Sequence, residues 1–196
     1  MVSLKHREST FEDLMDLPGD TRAELIDGVI YMMAPALARH SLINGVLTFR
    51  ISAYLDDKRK KGPQGGDSDS WLIIPEAWVF YDRHNTFVHD IAGYLEKELP
   101  SFPVSGPITV RPMWVCETLS PSNWDNDTER KRVILEEHQV PYYWLVDPDR
   151  KTIQVFEMRE NTEKYQSVYS VSVKDGIVKL PPFVELELDL AEVFKR

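Results

Sequence analysis

The sequence is short of several things. Only one cysteine, Cys116, stands in 196 residues. That excludes an internal disulfide framework and a four-cysteine zinc site, and it fits the reducing cytoplasm. No apolar run is long enough to span a bilayer, and no basic-then-apolar leader opens the chain, so neither a membrane span nor an export signal is expected. Cations are scarce: 23 Lys and Arg face 32 Asp and Glu, a formal net charge of -9. This argues against a protein that coats nucleic acid through bulk positive charge, but not against an enzyme with an acidic centre inside a local basic lip. Repeats and low-complexity tracts are missing too, and the Gly and Pro residues are scattered rather than clustered.

What is present suits one domain over residues 1–196 with a sizeable core. "TFEDLMDLP" reads as a short helix with Thr10 as its cap, acids in the first turn and Pro18 beyond its end. "AELIDGVIYMMAP" alternates around Asp27-Gly28, a hairpin signature. From Ala36 to about Lys60 the pattern is helical, with Leu42, Ile43, Val46, Leu47, Ile51, Tyr54 and Leu55 at three- and four-residue steps. "KKGPQGGDSDS" is a loop. Strands are expected at 71–81, 86–94 and 108–117, a helix from about Asp125 to His138, and a doubly buried strand in "YYWLVDP". "TIQVFEM", "KYQSVYSVSV" and "GIVKLP" suggest a C-terminal β-meander, and "LDLAEVFKR" a closing turn of helix, together about 152–196. The class is α/β (α+β), a mixed sheet with a long early helix laid over it.

Asp90 interrupts an otherwise apolar strand, and Glu117 ends the next one in "MWVCE". A carboxylate there is costly to desolvate unless something positive meets it. Two of them on neighbouring strands could hold a divalent cation such as Mg²⁺, which prefers carboxylate oxygens and retains waters able to act as nucleophiles. Taken singly, each acid is also explained as a strand end facing solvent or capping a turn. Lys131 shares a helix face with Ile134, Leu135 and His138, where it either meets an anion or snorkels to water. Asp147 in "VDPDR" reads as a turn, Asp125 and Asp127 as caps of the Lys131 helix, and Cys116 as a small buried hydrophobe. Trp78, Trp114 and Trp144 read as core. Lys58, Arg59, Lys60 and Lys61 form the one dense basic cluster, either a solvated helix end or a phosphate-contacting lip.

"AELIDGVIYMMAP", His40 in "ARHSLINGVL", "HDIAGY", "VCETLSPSNWDNDTERK" and "VPYYWLVDP" occur in an order that resembles the Uma-two family, restriction-endonuclease-like proteins of the PD-(D/E)XK nuclease superfamily. The likeness covers about residues 10–160. It implies a restriction-endonuclease-like core, a mixed central sheet flanked by helices, with a metal held by an Asp and a Glu on adjacent strands, here Asp90 and Glu117. The superfamily lysine two residues after the acid is Leu119 in this chain, and the displaced family lysine corresponds to Lys131. Glu24 matches an early family glutamate that completes the acidic cluster, and His40 matches a recurrent histidine to which no role is assigned. The chain departs at His89, where the family has Pro, at Leu135, where it has Tyr, and at Gln139-Val140, where it has Gly-Val. The implied activity is Mg²⁺- or Mn²⁺-dependent hydrolysis of nucleic-acid phosphodiesters, DNA above all. The Thr118 carbonyl would assist Asp90 and Glu117 at the metal, and Lys131 would act on the attacking water. The alternatives are a nuclease-fold protein that binds without cutting and a hydrolase of a smaller phosphorylated substrate. A homodimer is expected only by analogy, with Trp71 and Tyr94 as exposed-looking aromatics.

Overall fold

Asp27 and Gly28 both take positive φ, 51° and 69°, the backbone twist a two-residue hairpin turn requires. The chain therefore folds back as β1 (Ala23–Ile26) and β2 (Val29–Met32). Before it, Thr10 accepts the Asp13 amide and Asp13 returns a bond to the Thr10 amide, a capping box that starts the short helix α1 (Phe11–Met15). The helix α2 (Ala38–Lys61) follows, then β3 (Trp71–Asp82), β4 (Asn85–Leu95) and β5 (Trp114–Thr118). A π-helical turn (Asn126–Arg130) runs directly into α3 (Lys131–Glu137), and β6 (Tyr142–Asp147), β7 (Thr152–Arg159) and β8 (Lys164–Ser172) come next. The chain closes with β9 (Ile177–Leu180), β10 (Phe183–Asp189) and α4 (Leu190–Val193). This computed structural model describes residues 8–61, 70–99, 101–120, 124–159 and 161–195. The expected glycine-serine loop falls, over 62–69, outside the described residues.

The main sheet runs β2-β1-β4-β5-β6-β7-β8, with β3 also paired to β4. Only β5 and β6 are parallel to each other; the other pairings are antiparallel. Helix α2 lays Ile43, Leu47 and Ile51 on one face, against Ile91, Trp114, Cys116, Trp144 and Val146. Helix α3 lays Ile134 and Leu135 on the other, against Val115, Tyr143 and Leu145. Burial of each such side chain contributes about 1.5–3 kcal/mol. The expected α/β (α+β) class is observed: a central, mostly antiparallel sheet flanked by helices.

Several expectations need correction. The run 108–117 is not one strand: Ile108 makes an isolated bridge to Val79 and β5 begins only at Trp114, because Pro112 has no N–H to give a ladder. The C-terminal β-meander forms in part: β7 and β8 run antiparallel as expected and extend the main sheet, but β9 leaves it to pair with β10, a strand that was not anticipated. Asp125 makes no capping bond, and Asp127 is buried rather than capping. Leu42 lies outside the core stripe, whereas Tyr94 is fully buried and offers nothing to a partner surface. Asp147 does make its turn, accepting the amides of Asp149 and Arg150.

Candidate active site at a strand fork

Strand β4 changes partners along one edge. Near its start Thr86 faces Leu25 of β1; from Ile91 onward it pairs with β5, Ile91 opposite Cys116. Between these points β1 and β5 diverge, and the β4 amides in the gap need other acceptors. Two carboxylates supply them. Val88 N–H donates to Glu24 Oε1 of β1 at 2.9 Å, and Asp90 N–H donates to Glu117 Oε2 of β5 at 3.2 Å. The exchange is reciprocal, because Thr118 N–H donates to Asp90 Oδ2 at 2.7 Å. Glu117 therefore stands buried near the end of β5, where the fork leaves a backbone donor without a strand partner.

Lys131 fills the fork from the α3 side. It is 2% exposed, with Nζ 3.0 Å from Glu24, 3.2 Å from Asp127 and 3.7 Å from Glu117 Oε1. Its ammonium also lies 5.3 Å from the centre of the Phe87 ring. On the α2 side, His40 Nε2 is 2.7 Å from Asp90 Oδ1, and the Thr118 hydroxyl donates to Asn44 at 2.6 Å. Asp90 lines an open cavity of about 510 Å³ together with His40, Asn44, Thr48, Phe49 and Glu76. Glu76 sits opposite Asp90 in the β3–β4 register, framed by the Pro75–Ile91 and Ala77–His89 pairs, with φ at +52° and an ion pair to Arg22.

The electrostatics are lopsided: Glu24, Glu117 and Asp127 surround one lysine, and Asp90 stands beside Glu117. Burial lowers the Lys131 pKa, but Asp127, Glu117 and Glu24 together hold it well above the ordinary value, so the ammonium stays charged. Burial drives the Glu117 carboxyl upward; Lys131 opposes this, Asp90 and Glu24 reinforce it, and the net is a rise. Asp127 is raised for the same reasons, burial first, with Lys131 opposing. His40 loses basicity to burial but gains more from its bond to Asp90 and that carboxylate's charge, and ends above the ordinary value. His89 is fully buried, with Nδ1 2.6 Å from Glu117 Oε1 and Nε2 2.7 Å from the Tyr81 hydroxyl. Burial and then Lys131 push it down to about 3, so its imidazole is neutral.

The fork thus brings together Asp90, Glu117, Thr118, Lys131, Glu24 and His40. It does not include Lys58, Arg59, Lys60 and Lys61: these occupy the last turn of α2, about 27 Å along the helix from His40 to Lys58 at 1.5 Å per residue. Lys58 pairs with Glu185 and Lys61 with Asp57. Three site residues had no decisive sequence signal: Asp127, which reads equally well as a cap, His89, whose partner Tyr81 is on another strand, and Glu76. The donor set fits a hard divalent cation, since Asp90 and Glu117 are adjacent carboxylates in a neighbourhood with surplus negative charge. Among the described residues no three His, Cys, Asp or Glu side chains form a ready cage. A cation here would take two carboxylates and fill its remaining positions with water, the habit of Mg²⁺.

Comparison with known proteins bears on the fold and the family. No curated protein matches. Among solved structures, a "putative nuclease belonging to DUF820" from Anabaena variabilis ATCC 29413 superposes with a TM-score of 0.73 at 21% identity, over 95% of this chain and 97% of that one. At that identity the likeness establishes the fold. A type IIG restriction endonuclease, BpuSI, is a slighter match, TM-score 0.43 and 9% identity over 83% of this chain and 16% of that one, and carries no argument. The family model described as "Uma2: Putative restriction endonuclease" matches residues 10–191, farther than the motifs themselves reach. This chain belongs to the Uma2 family, the Uma-two family its motifs resemble, and that membership supports a nuclease.

Proposed function

We propose that the fork is the active site of a metal-dependent nuclease that hydrolyses phosphodiester bonds in DNA. One observation carries the reading: Glu117 is held by the Asp90 amide and Asp90 by the Thr118 amide, so the two carboxylates stand side by side, beside a buried charged lysine, with more carboxylates present than cations to balance them. Caps for stray amides alone do not require that surplus, because neutral Asn or Gln oxygens accept N–H bonds as well. In this reading Asp90, Glu117 and the Thr118 carbonyl hold Mg²⁺ or Mn²⁺. When bound, the cation supplies Lewis-acid charge and lowers the pKa of water to make a nucleophile. Lys131, kept protonated by its acids, acts as a fixed positive charge that orients water and stabilises negative charge developing on the phosphoryl group, not as a base. Glu24 and Asp127 hold Lys131 in place, and His40 holds Asp90.

Cutting both strands of a duplex would take two copies of the chain, a homodimer that sizing with and without DNA would reveal. The lone buried Cys116 suits action in the cytoplasm. A second reading, acids serving only as backbone caps in a binding protein, is favoured by the bonds to Val88, Asp90 and Thr118. The test is cleavage of labelled single- and double-stranded DNA with Mg²⁺ or Mn²⁺ and with chelator, on the parent and Lys131→Met. Metal-dependent cleavage that falls about 10²–10³-fold in the variant supports the nuclease. No cleavage of any DNA by the folded parent would favour the caps.

A further inference from the structure

His89 takes no part in the scheme above, yet both its ring nitrogens are engaged inside the fork. Nδ1 lies 2.6 Å from Glu117 Oε1 and Nε2 2.7 Å from the Tyr81 hydroxyl. Aromatic edges clamp the ring: Phe87 at 5.1 Å and 88°, Tyr81 at 5.8 Å and 84°, with Tyr81 and Phe87 themselves stacked at 4.9 Å. A neutral imidazole has one donor and one acceptor, and the bond at one nitrogen fixes the role of the other. Tyr81 can donate its O–H to Nε2. Nδ1 then carries the proton and points it at the carboxylate. With a cation bound and Glu117 ionised, the opposite tautomer would set the Nδ1 lone pair against the lone pairs of the carboxylate.

The other contacts of Glu117 do not replace this one. The Asp90 amide binds Oε2 at 3.2 Å, and Lys131 Nζ stands 3.7 Å from Oε1, beyond hydrogen-bond reach. The shortest bond to the carboxylate therefore comes from His89.

We propose that Tyr81 and His89 form a positioning pair that orients the Glu117 carboxylate for a divalent cation. The pair touches neither substrate nor the reacting atoms, and its role rests on the metal-dependent reading given above. Outer partners of this kind are worth about 10–100-fold in metal affinity.

The test is calorimetric titration of Mn²⁺ into the parent, His89→Phe, His89→Asn and Tyr81→Phe, each with its unfolding midpoint recorded. Long-range ¹H–¹⁵N spectra of the Mg²⁺-loaded parent accompany it. The expected result is a loss of about 10–100-fold in affinity for His89→Phe, a smaller loss for Tyr81→Phe, and recovery in His89→Asn, whose amide N–H stands near the place of Nδ1. The spectra should show Nδ1 protonated and Nε2 bare. Should His89→Phe not fold, Tyr81→Phe, which deletes a single oxygen, carries the test. Variants that fold and bind Mn²⁺ within twofold of the parent would overturn the positioning role alone, as would the reversed tautomer. A parent that binds no Mn²⁺ would overturn the metal-dependent reading as well.

Discussion

Lys131 shows most clearly how the fork is balanced. Its place on the inner face of α3 follows from its spacing to Ile134 and Leu135, and was legible in the sequence. Its partners were not, because Glu24, Asp127 and Glu117 reach it from three different elements. Asp127 was misread because the residue four before a helical lysine serves equally well as a cap, and only the π-helical turn draws it inward. The imbalance has a pH signature. Glu117 is protonated more readily in the folded state than in the unfolded chain, so the native state holds the extra proton, and stability falls as pH rises through the folded value. His40, also raised, has the same sign, while His89, held neutral in the folded state, opposes them only just above 6.5 and fades as the unfolded chain's imidazole loses its proton. The metal-free protein should therefore lose stability between pH 6.5 and pH 8. Lys131→Met, which strips the acids of their cation, should steepen that loss. Urea unfolding of both proteins at the two pH values checks this, and a flat or rising parent profile would contradict it.

At the scale of elements, local chemistry was legible and long-range pairing was not. The Asp27-Gly28 hairpin and the Thr10 cap are encoded within a few residues, and both form. The break at Pro112 was readable from its missing N–H, and β10 from the alternation of Leu186, Leu188 and Leu190, all buried. The exchange of β1 for β5 along β4 joins segments far apart in sequence and leaves no local trace. Gly93 shows how tightly β4 is built at its other end. A Cβ there would lie 3.1 Å from both the Trp114 and the Trp71 rings, each packed against Phe183. Gly93→Ala should destabilise the protein by about 1–3 kcal/mol through overpacking. Its unfolding midpoint tests this, and an unchanged midpoint would mean that the two indoles yield.

For the molecule as a whole, the class followed from sequence and the placing of Asp90 and Glu117 on neighbouring strands from the family resemblance, while the β7–β8 extension and the remote place of the Lys58–Lys61 cluster emerged only in three dimensions. No helix among the described residues is long and apolar enough to cross a membrane. A chain of net charge -9 gains little from bulk attraction to phosphates, so the proposed function stands or falls on whether the fork holds a cation. The most direct measurement is a calorimetric titration of Mn²⁺ into the protein and into Asp90→Ala at pH 7, in two buffers of different ionisation enthalpy. Metal ligation needs Glu117 ionised, so binding should release protons. The account predicts binding with proton release in the parent and its loss in the variant, whose circular dichroism stays unchanged. Equal binding by the two proteins, or none by either, would contradict it and leave the carboxylates as caps for a forked strand.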